Sequence, residues 1–275
     1  MSTFRDKPIG VFDSGVGGLT VAHAIRQLLP NERMIYFGDT AHLPYGEKSP
    51  EAILHYARRI TAFLVEEGCK AVVIACNSAS SVAYEPLQEA YGDAVPVVNV
   101  IDPVVDYYVK HLAPARVGVI GTKATIASGA YEKKIRAKSP EARVISLATP
   151  LFVPMIEEGF IYDDISNAII RAYLSQEPIR SVEALILGCT HYPIIKNQIS
   201  KFYDFSVEIL DTAVIVARSV RDLLTRRGLL RETPARDDEH LFYVSDYTDY
   251  FARIAGMFFE ERITLRKLDL WKEEN

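Results

Sequence analysis

Cysteine is scarce in this chain. Three in 275 residues, Cys69, Cys76 and Cys189, are too few for a disulfide scaffold. A reduced, cytoplasmic setting is the expectation. No apolar run approaches the roughly 20 residues needed to cross a bilayer. The opening stretch MSTFRDKPIGVFDSG also lacks the apolar segment of a secretory signal. Net charge is −5 and basic residues form no dense cluster. A nucleic-acid partner, which needs a basic surface, is therefore not expected. Gly/Ser linkers and low-complexity tracts are missing too. What is present is 49% hydrophobic residues, enough for one large domain or two compact ones.

The apolar residues fall mostly in short continuous runs, the pattern of strands buried on both faces. Candidates are Ile9–Phe12, Met34–Phe37, Ala71–Ala75, Val95–Val98, Val117–Ile120, Val144–Leu147, Ala184–Leu187, Val207–Leu210 and Leu241–Val244. Helical spacing fills the gaps. Leu19–Leu28 follows a glycine-rich turn. Glu51–Glu67 follows Ser49-Pro50, an N-cap and a first-turn proline. Asp211–Arg227 places Val214, Val216, Val220, Leu223 and Leu224 on one side and stops at Gly228. Strands alternating with helices predict an α/β fold of doubly wound parallel sheets. The hydrophilic stretch Arg231–Glu239 reads as a surface loop.

The plan repeats. KPIGVFDSG at 7–15 has a counterpart in ARVGVIGTK at 115–123, an offset of 108 residues. KAVVIACNSAS at 70–80 has one in EALILGCTHYP at 183–193, with the two cysteines 113 apart. This reads as two similar α/β domains, one of 1–99 plus 212–275 and one of 100–211, with a cleft between them. In each copy an apolar run ends, a small residue follows, and then a cysteine. Cys76 and Cys189 thus lie just past strand ends, where open α/β sheets place ligands. Two equivalent thiols suit acid and base groups acting on one substrate from opposite sides.

Five segments carry polar chemistry beside those strand ends. Asp13-Ser14-Gly15-Val16-Gly17-Gly18 could admit an anion to its backbone amides, but it is not G-x-G-x-x-G and has no P-loop lysine. Asp13 either tunes a thiol or orients an amine, or caps the turn. Phe37–Gly46 ends in Pro-Tyr-Gly, able to present amides and the Tyr45 phenol, or a plain turn. Cys76-Asn77-Ser78 pairs a thiol with polar partners at a helix start, where a thiolate is stabilised. A small buried hydrophobe is the alternative, and the default for Cys69. Cys189-Thr190-His191 sets an imidazole beside the second thiol as proton shuttle or metal ligand, although its spacing is not that of a zinc site. In PLFVPMIEEG, Glu157 or Glu158 could assist a thiol, the other being solvated. No Arg or Lys occurs in these segments, so backbone amides, hydroxyls and helix starts are expected to hold any anionic substrate.

Together, FDSGVGGLTV, YFGDT followed by PYGEKS, ACNSAS and LGCTHYP resemble the glutamate racemases of the aspartate/glutamate racemase family. The resemblance covers residues 8 to about 220. It implies cofactor-independent interconversion of L- and D-glutamate, without metal, for peptidoglycan synthesis. Cys76 and Cys189 then match the two acid/base groups. Asp13 is placed beside Cys76 and His191 beside Cys189, and Glu157 matches the assisting carboxylate better than Glu158. Asp13, Ser14, Tyr45, Gly46, Asn77, Ser78, Thr190 and His191 match substrate-binding positions. Cys76 is implied to serve D-glutamate and Cys189 L-glutamate. Ser78 departs from the usual threonine but keeps a hydroxyl, and FYVSDYTDYF matches no pattern of the family. A homodimer is possible on the same grounds. Some members carry an N-terminal extension tied to activation by a cell-wall precursor. Only about seven residues precede the first strand here, so no such activator site is expected. Aspartate racemase, a thiol hydrolase using Cys189 and His191, and an amino-acid-binding protein remain rival readings.

Overall fold

Ten strands and eleven helices make up the computed structural model, which describes residues 4–272. The strands are β1 (Ile9–Asp13), β2 (Met34–Gly38), β3 (Ala71–Ile74), β4 (Val97–Asn99), β5 (Val117–Gly121), β6 (Val144–Ala148), β7 (Ala184–Gly188), β8 (Glu208–Leu210), β9 (Leu241–Val244) and β10 (Leu265–Lys267). The helices are α1 (Leu19–Leu28), α2 (Pro50–Glu66), α3 (Asn77–Tyr91), α4 (Asp102–His111), α5 (Lys123–Ser128) and α6 (Ala130–Lys138). They continue as α7 (Phe152–Glu157), α8 (Asp164–Leu174), α9 (Lys196–Phe202), α10 (Thr212–Arg226) and α11 (Asp249–Phe259).

Two all-parallel sheets result. One runs β10-β9-β2-β1-β3-β4 and the other β6-β5-β7-β8. The order β2-β1-β3-β4 is matched strand for strand by β6-β5-β7-β8, so the repeat read in the sequence is a repeat of topology. The expected α/β fold of two similar parallel-sheet units is borne out. β1, β2, β3, β5 and β7 are buried along their whole length, which is why they read as unbroken apolar runs. Each sheet has its own core, with Phe12, Phe37 and Ile74 in one and Val117, Val119 and Ile186 in the other. A third cluster joins them, from Val11 and Val73 through to Leu185 and Leu187. Among the described residues no helix is long and apolar enough to cross a membrane.

Local chemistry explains the helix ends. The Ser49 hydroxyl accepts from the Ala52 N–H with Pro50 in the first turn. The Asp211 carboxylate accepts from the Ala213 N–H to start α10. Gly228, at φ +64°, follows the end of α10 in the left-handed region that glycine adopts without cost. α10 packs on α1 of the first unit and on α4, burying Val216, Val220 and Leu224.

The structure corrects several expectations. Val214 is 44% exposed, because two residues turn a helix by about 200° and carry it away from Val216. β4 starts after Pro96, not at Val95, since Val95 donates its N–H back to Tyr91. β10 went unread because Leu265-Arg266-Lys267 buries only its leucine. FYVSDYTDYF divides into β9, a polar turn and the start of α11. Arg231–Glu239 is largely loop, but the Arg231 side chain is tucked in toward Asp6 and Glu239.

β3 is fixed at its base as well as its tip. Lys70, fully buried, pairs with buried Glu32 and donates to the carbonyls of Arg5 and Leu229. Replacing Glu32 by Ala strands a buried ammonium and should cost about 3–5 kcal/mol of stability at neutral pH. Denaturant unfolding checks this, and a change within 0.5 kcal/mol would count against the pairing.

Candidate active site

The carboxyl ends of β1, β3, β5 and β7 meet around a pocket of about 360 Å³, at the small end of the roughly 300–1,000 Å³ usual for ligand sites. The first unit lines it with Ser14, Tyr45, Gly46, Cys76, Asn77 and Ser78. The second contributes Thr122, Glu157, Cys189, Thr190 and His191. The structure thus gathers every expected site residue at one place, with Asp13 fully buried just behind the lining.

Cys76 caps α3: its sulfur accepts the Ala79 N–H at 3.4 Å and its thiol points to the Ser14 hydroxyl at 3.6 Å. Burial pushes the thiol up to about 12, and the nearby charge of Asp13 adds to this, against the two hydrogen bonds. Cys76 therefore rests protonated at neutral pH. Asp13 is seen in the capping role foreseen for it. One oxygen accepts the Gly15 N–H at 2.9 Å, capping the turn, while the other is buried with no partner. Burial raises its carboxyl, opposed by the charge of His191 and by backbone N–H groups.

The second thiol has a different neighbourhood. Cys189 Sγ lies 3.8 Å from His191 Nδ1, and His191 Nε2 lies 2.9 Å from Glu157 Oε1. Burial works against charge on His191, but the hydrogen bonds and charges of Cys189 and Glu157 overcome it and push the imidazole up to about 10. His191 is thus an imidazolium at neutral pH. Phe258 of α11 sets a ring edge against it at 4.9 Å. Glu158 follows α7 and faces solvent, so Glu157 is the carboxylate at the site.

The pocket's polar walls are set by neighbours. Tyr131 donates to Asn77 Oδ1 at 2.7 Å, which leaves the buried Nδ2 without a protein partner. Ser78 Oγ lies 2.9 Å from Thr122 Oγ1 and 3.2 Å from Thr125 Oγ1, a hydroxyl cluster bridging the two units. Gly46 also faces the other unit, where an added Cβ would come within 2.8 Å of Thr122.

The structure refines three expectations about the site. The Tyr45 phenol is not presented to a ligand, because it donates to Asp39 at 2.7 Å. Two of the glycines after Asp13 are set by close packing, since a Cβ on Gly17 would fall 2.4 Å from the His191 ring and one on Gly18 2.4 Å from Asp13, while Gly15 is open and lines the pocket. The pocket does contain a cation, since Lys123 lines its rim, paired at 3.1 Å with Glu47 of the first unit. Thr122 was missed, although the 108-residue offset sets it opposite Ser14. Thr149 was missed too; it follows β6 as Asp39 follows β2, each donating its N–H to the end of the neighbouring strand, and the Tyr192 hydroxyl lies 2.7 Å from its own. All three cysteines are free thiols. Among the described residues no group of three or more His, Cys, Asp or Glu is placed to hold a metal.

Two like parallel α/β units, each carrying a thiol at a strand end into one shared pocket, define the class. The chain belongs to the Asp/Glu/Hydantoin racemase family, whose model matches residues 15–220. Curated relatives of the chain include glutamate racemases. That of Geobacter metallireducens is 44% identical over 252 residues, 92% of each chain. The crystal structure of glutamate racemase from Francisella tularensis in complex with D-glutamate superposes with a TM-score of 0.90 at 40% identity, covering 97% of this chain and 99% of the other. That from Thermus thermophilus in complex with beta-chloro-D-alanine gives 0.86 at 40%, covering 97% and 98%. The family resemblance read from the motifs is borne out.

Proposed function

We propose that this chain interconverts L- and D-glutamate without a cofactor, through proton transfer by two thiols. The observation that carries the reading is the pair Cys76 and Cys189 in one buried pocket, each backed by its own proton partner. With the substrate Cα between the sulfurs, one thiolate takes the α-proton from one face. The thiol of the other cysteine then delivers a proton to the opposite face. Burial helps in an unobvious way. The α-proton is weakly acidic, and a thiolate whose thiol sits near 12 is a stronger base than a free one near 8.5. Turnover in the opposite sense starts from the opposite distribution of protons. Asp13 exchanges one with Cys76, and His191, held by Glu157, exchanges one with Cys189.

Binding falls to groups that leave these protons alone. The free Asn77 Nδ2 and the hydroxyls of Ser14, Ser78 and Thr190 suit the carboxylates, with the backbone at Tyr45 and Gly46 closing the wall. Hydrogen bonds in a dry site stabilise the carbanion. We assign 1–99 with 212–275 to one domain and 100–211 to the other, the substrate lying between. The same reading places the chain in the cytoplasm, supplying D-glutamate for peptidoglycan, and allows a homodimer.

The test is a chiral assay on purified protein with no added cofactor. Either glutamate enantiomer should run to an equal mixture, aspartate should turn over far more slowly, and exhaustive chelation should change nothing. Activity lost on chelation and restored by zinc would overturn the metal-free mechanism. Aspartate turned over as fast as glutamate would overturn the substrate.

A further inference from the structure

The first unit's wall of the pocket, residues 43–47, is a loop whose only regular element is one short 3-10 turn, Tyr45–Glu47. Loops hold a catalytic geometry only when something outside them does the holding. Here the anchor is Asp39, fully buried just past the end of β2. Its carboxylate accepts from the Tyr45 hydroxyl at 2.7 Å, from the Ser245 hydroxyl at 2.8 Å, and has His42 Nδ1 within 3.0 Å of both oxygens. The fourth partner comes from far along the chain. Trp271, beyond β10, donates its indole N–H to Asp39 Oδ1 at 3.1 Å.

The ring of Trp271 also packs here. It sets an edge against His42 at 4.6 Å and against Tyr56 of α2 at 5.3 Å, while His42 stacks on Tyr56 at 4.2 Å. His42 and Tyr45 flank the pocket-lining residues Leu43 and Pro44. Trp271, Asp39, His42 and Tyr56 are themselves outside the lining. The indole therefore touches nothing that reacts. It closes an aromatic box around the carboxylate that fixes Tyr45, next to Gly46 where the wall meets Thr122 of the other unit.

We propose that Trp271 is a positioning residue for racemisation, a clasp from the C-terminal segment that holds the 43–47 wall against the substrate through Asp39 and His42. This rests on the glutamate racemase reading. Since the wall binds substrate and carries neither thiol, loosening it should weaken binding more than the proton transfers. Trp271 is the only tryptophan in the chain, so its fluorescence reports on the clasp directly.

The experiment uses the full chain. Trp271→Phe keeps a ring and loses the N–H; Trp271→Ala loses both. KM for both glutamate enantiomers should rise about threefold in the first and about tenfold in the second, less than the full loss of a hydrogen bond to a charged group because the indole acts on the substrate only through Asp39 and the wall. kcat should change less than twofold. In the wild type, D-glutamate should shift the tryptophan emission and saturate near KM. If Trp271→Ala does not fold, Trp271→Phe and the wild-type fluorescence decide. A wild type that racemises glutamate, with KM unchanged in the folded variants and emission unmoved by D-glutamate, overturns the clasp alone, even if the melting temperature falls. A wild type that does not racemise glutamate sinks the reading of the site, and the clasp with it.

Discussion

Replacing either Cys76 or Cys189 by serine should lower kcat for racemisation by roughly 10³-fold or more, about 4 kcal/mol of barrier. A hydroxyl is far too weak an acid to be ionised here, and both faces of Cα must be served. The two variants should nevertheless differ in a partial reaction. With 3-chloroglutamate, removing the α-proton expels chloride from Cβ, and the enamine formed hydrolyses to 2-oxoglutarate and ammonia. That sequence needs one base only. Cys189→Ser keeps Cys76 and should eliminate from the D-configured analogue; Cys76→Ser keeps Cys189 and should eliminate from the L-configured one. The release of 2-oxoglutarate from each stereoisomer measures this. Both variants eliminating from the same enantiomer, or either racemising near the wild-type rate, would falsify the two-thiol mechanism. Cys69→Ser is the control. Cys69 is buried beneath Gly10 and Leu64, away from the pocket, so kinetics should stay within twofold whatever the hydroxyl does to stability.

The sequence showed this site unusually well for a physical reason. A buried parallel strand writes itself as a continuous apolar run, so its end can be located to within a residue or two, and Cys76 and Cys189 follow such ends. Duplication then supplied a second reading of each feature. What stayed hidden depended on contacts between distant segments. Nothing local says that the Tyr45 phenol is engaged by Asp39, because both sit in one polar loop and either could face a ligand. Nothing local says that Gly17 must be glycine, since the obstacle is the His191 ring, 174 positions away. β10 carries two exposed charges in three residues and has no strand signature, so nothing local marked the segment leading to Trp271. Lys123 was visible, but its place at the pocket rim follows from α5 starting at the tip of β5.

Replacing Asp13 and His191 by asparagine should separate the two proton partners, although racemisation itself cannot show it. The enantiomers are mirror images, so the equilibrium constant is one and kcat/KM must fall equally in both directions in any variant. A loss of about 10²-fold is expected in each, at the lower end for removing an acid/base partner. The asymmetry belongs to elimination. Asp13→Asn keeps its oxygen toward the Gly15 N–H but can no longer take a proton, and it should slow elimination from the D analogue. Loss of its charge lets the Cys76 thiol fall from about 12, while burial, the larger cause, still holds it high. Easier ionisation thus does not compensate for the missing acceptor. His191→Asn should slow the L analogue instead. The pH dependence follows from the sign of the shift. His191 is raised from 6.5 to about 10, so its proton is present at neutral pH and is lost as pH rises through about 10. Wild-type elimination from the L analogue should fall across that range, as the site loses the imidazolium that offsets the Cys189 thiolate beside an anionic substrate, and His191→Asn should lack the fall. Asp13→Asn and His191→Asn slowing the same enantiomer, or a basic limb that persists without the imidazole, would remove the assignment of one proton partner to each thiol.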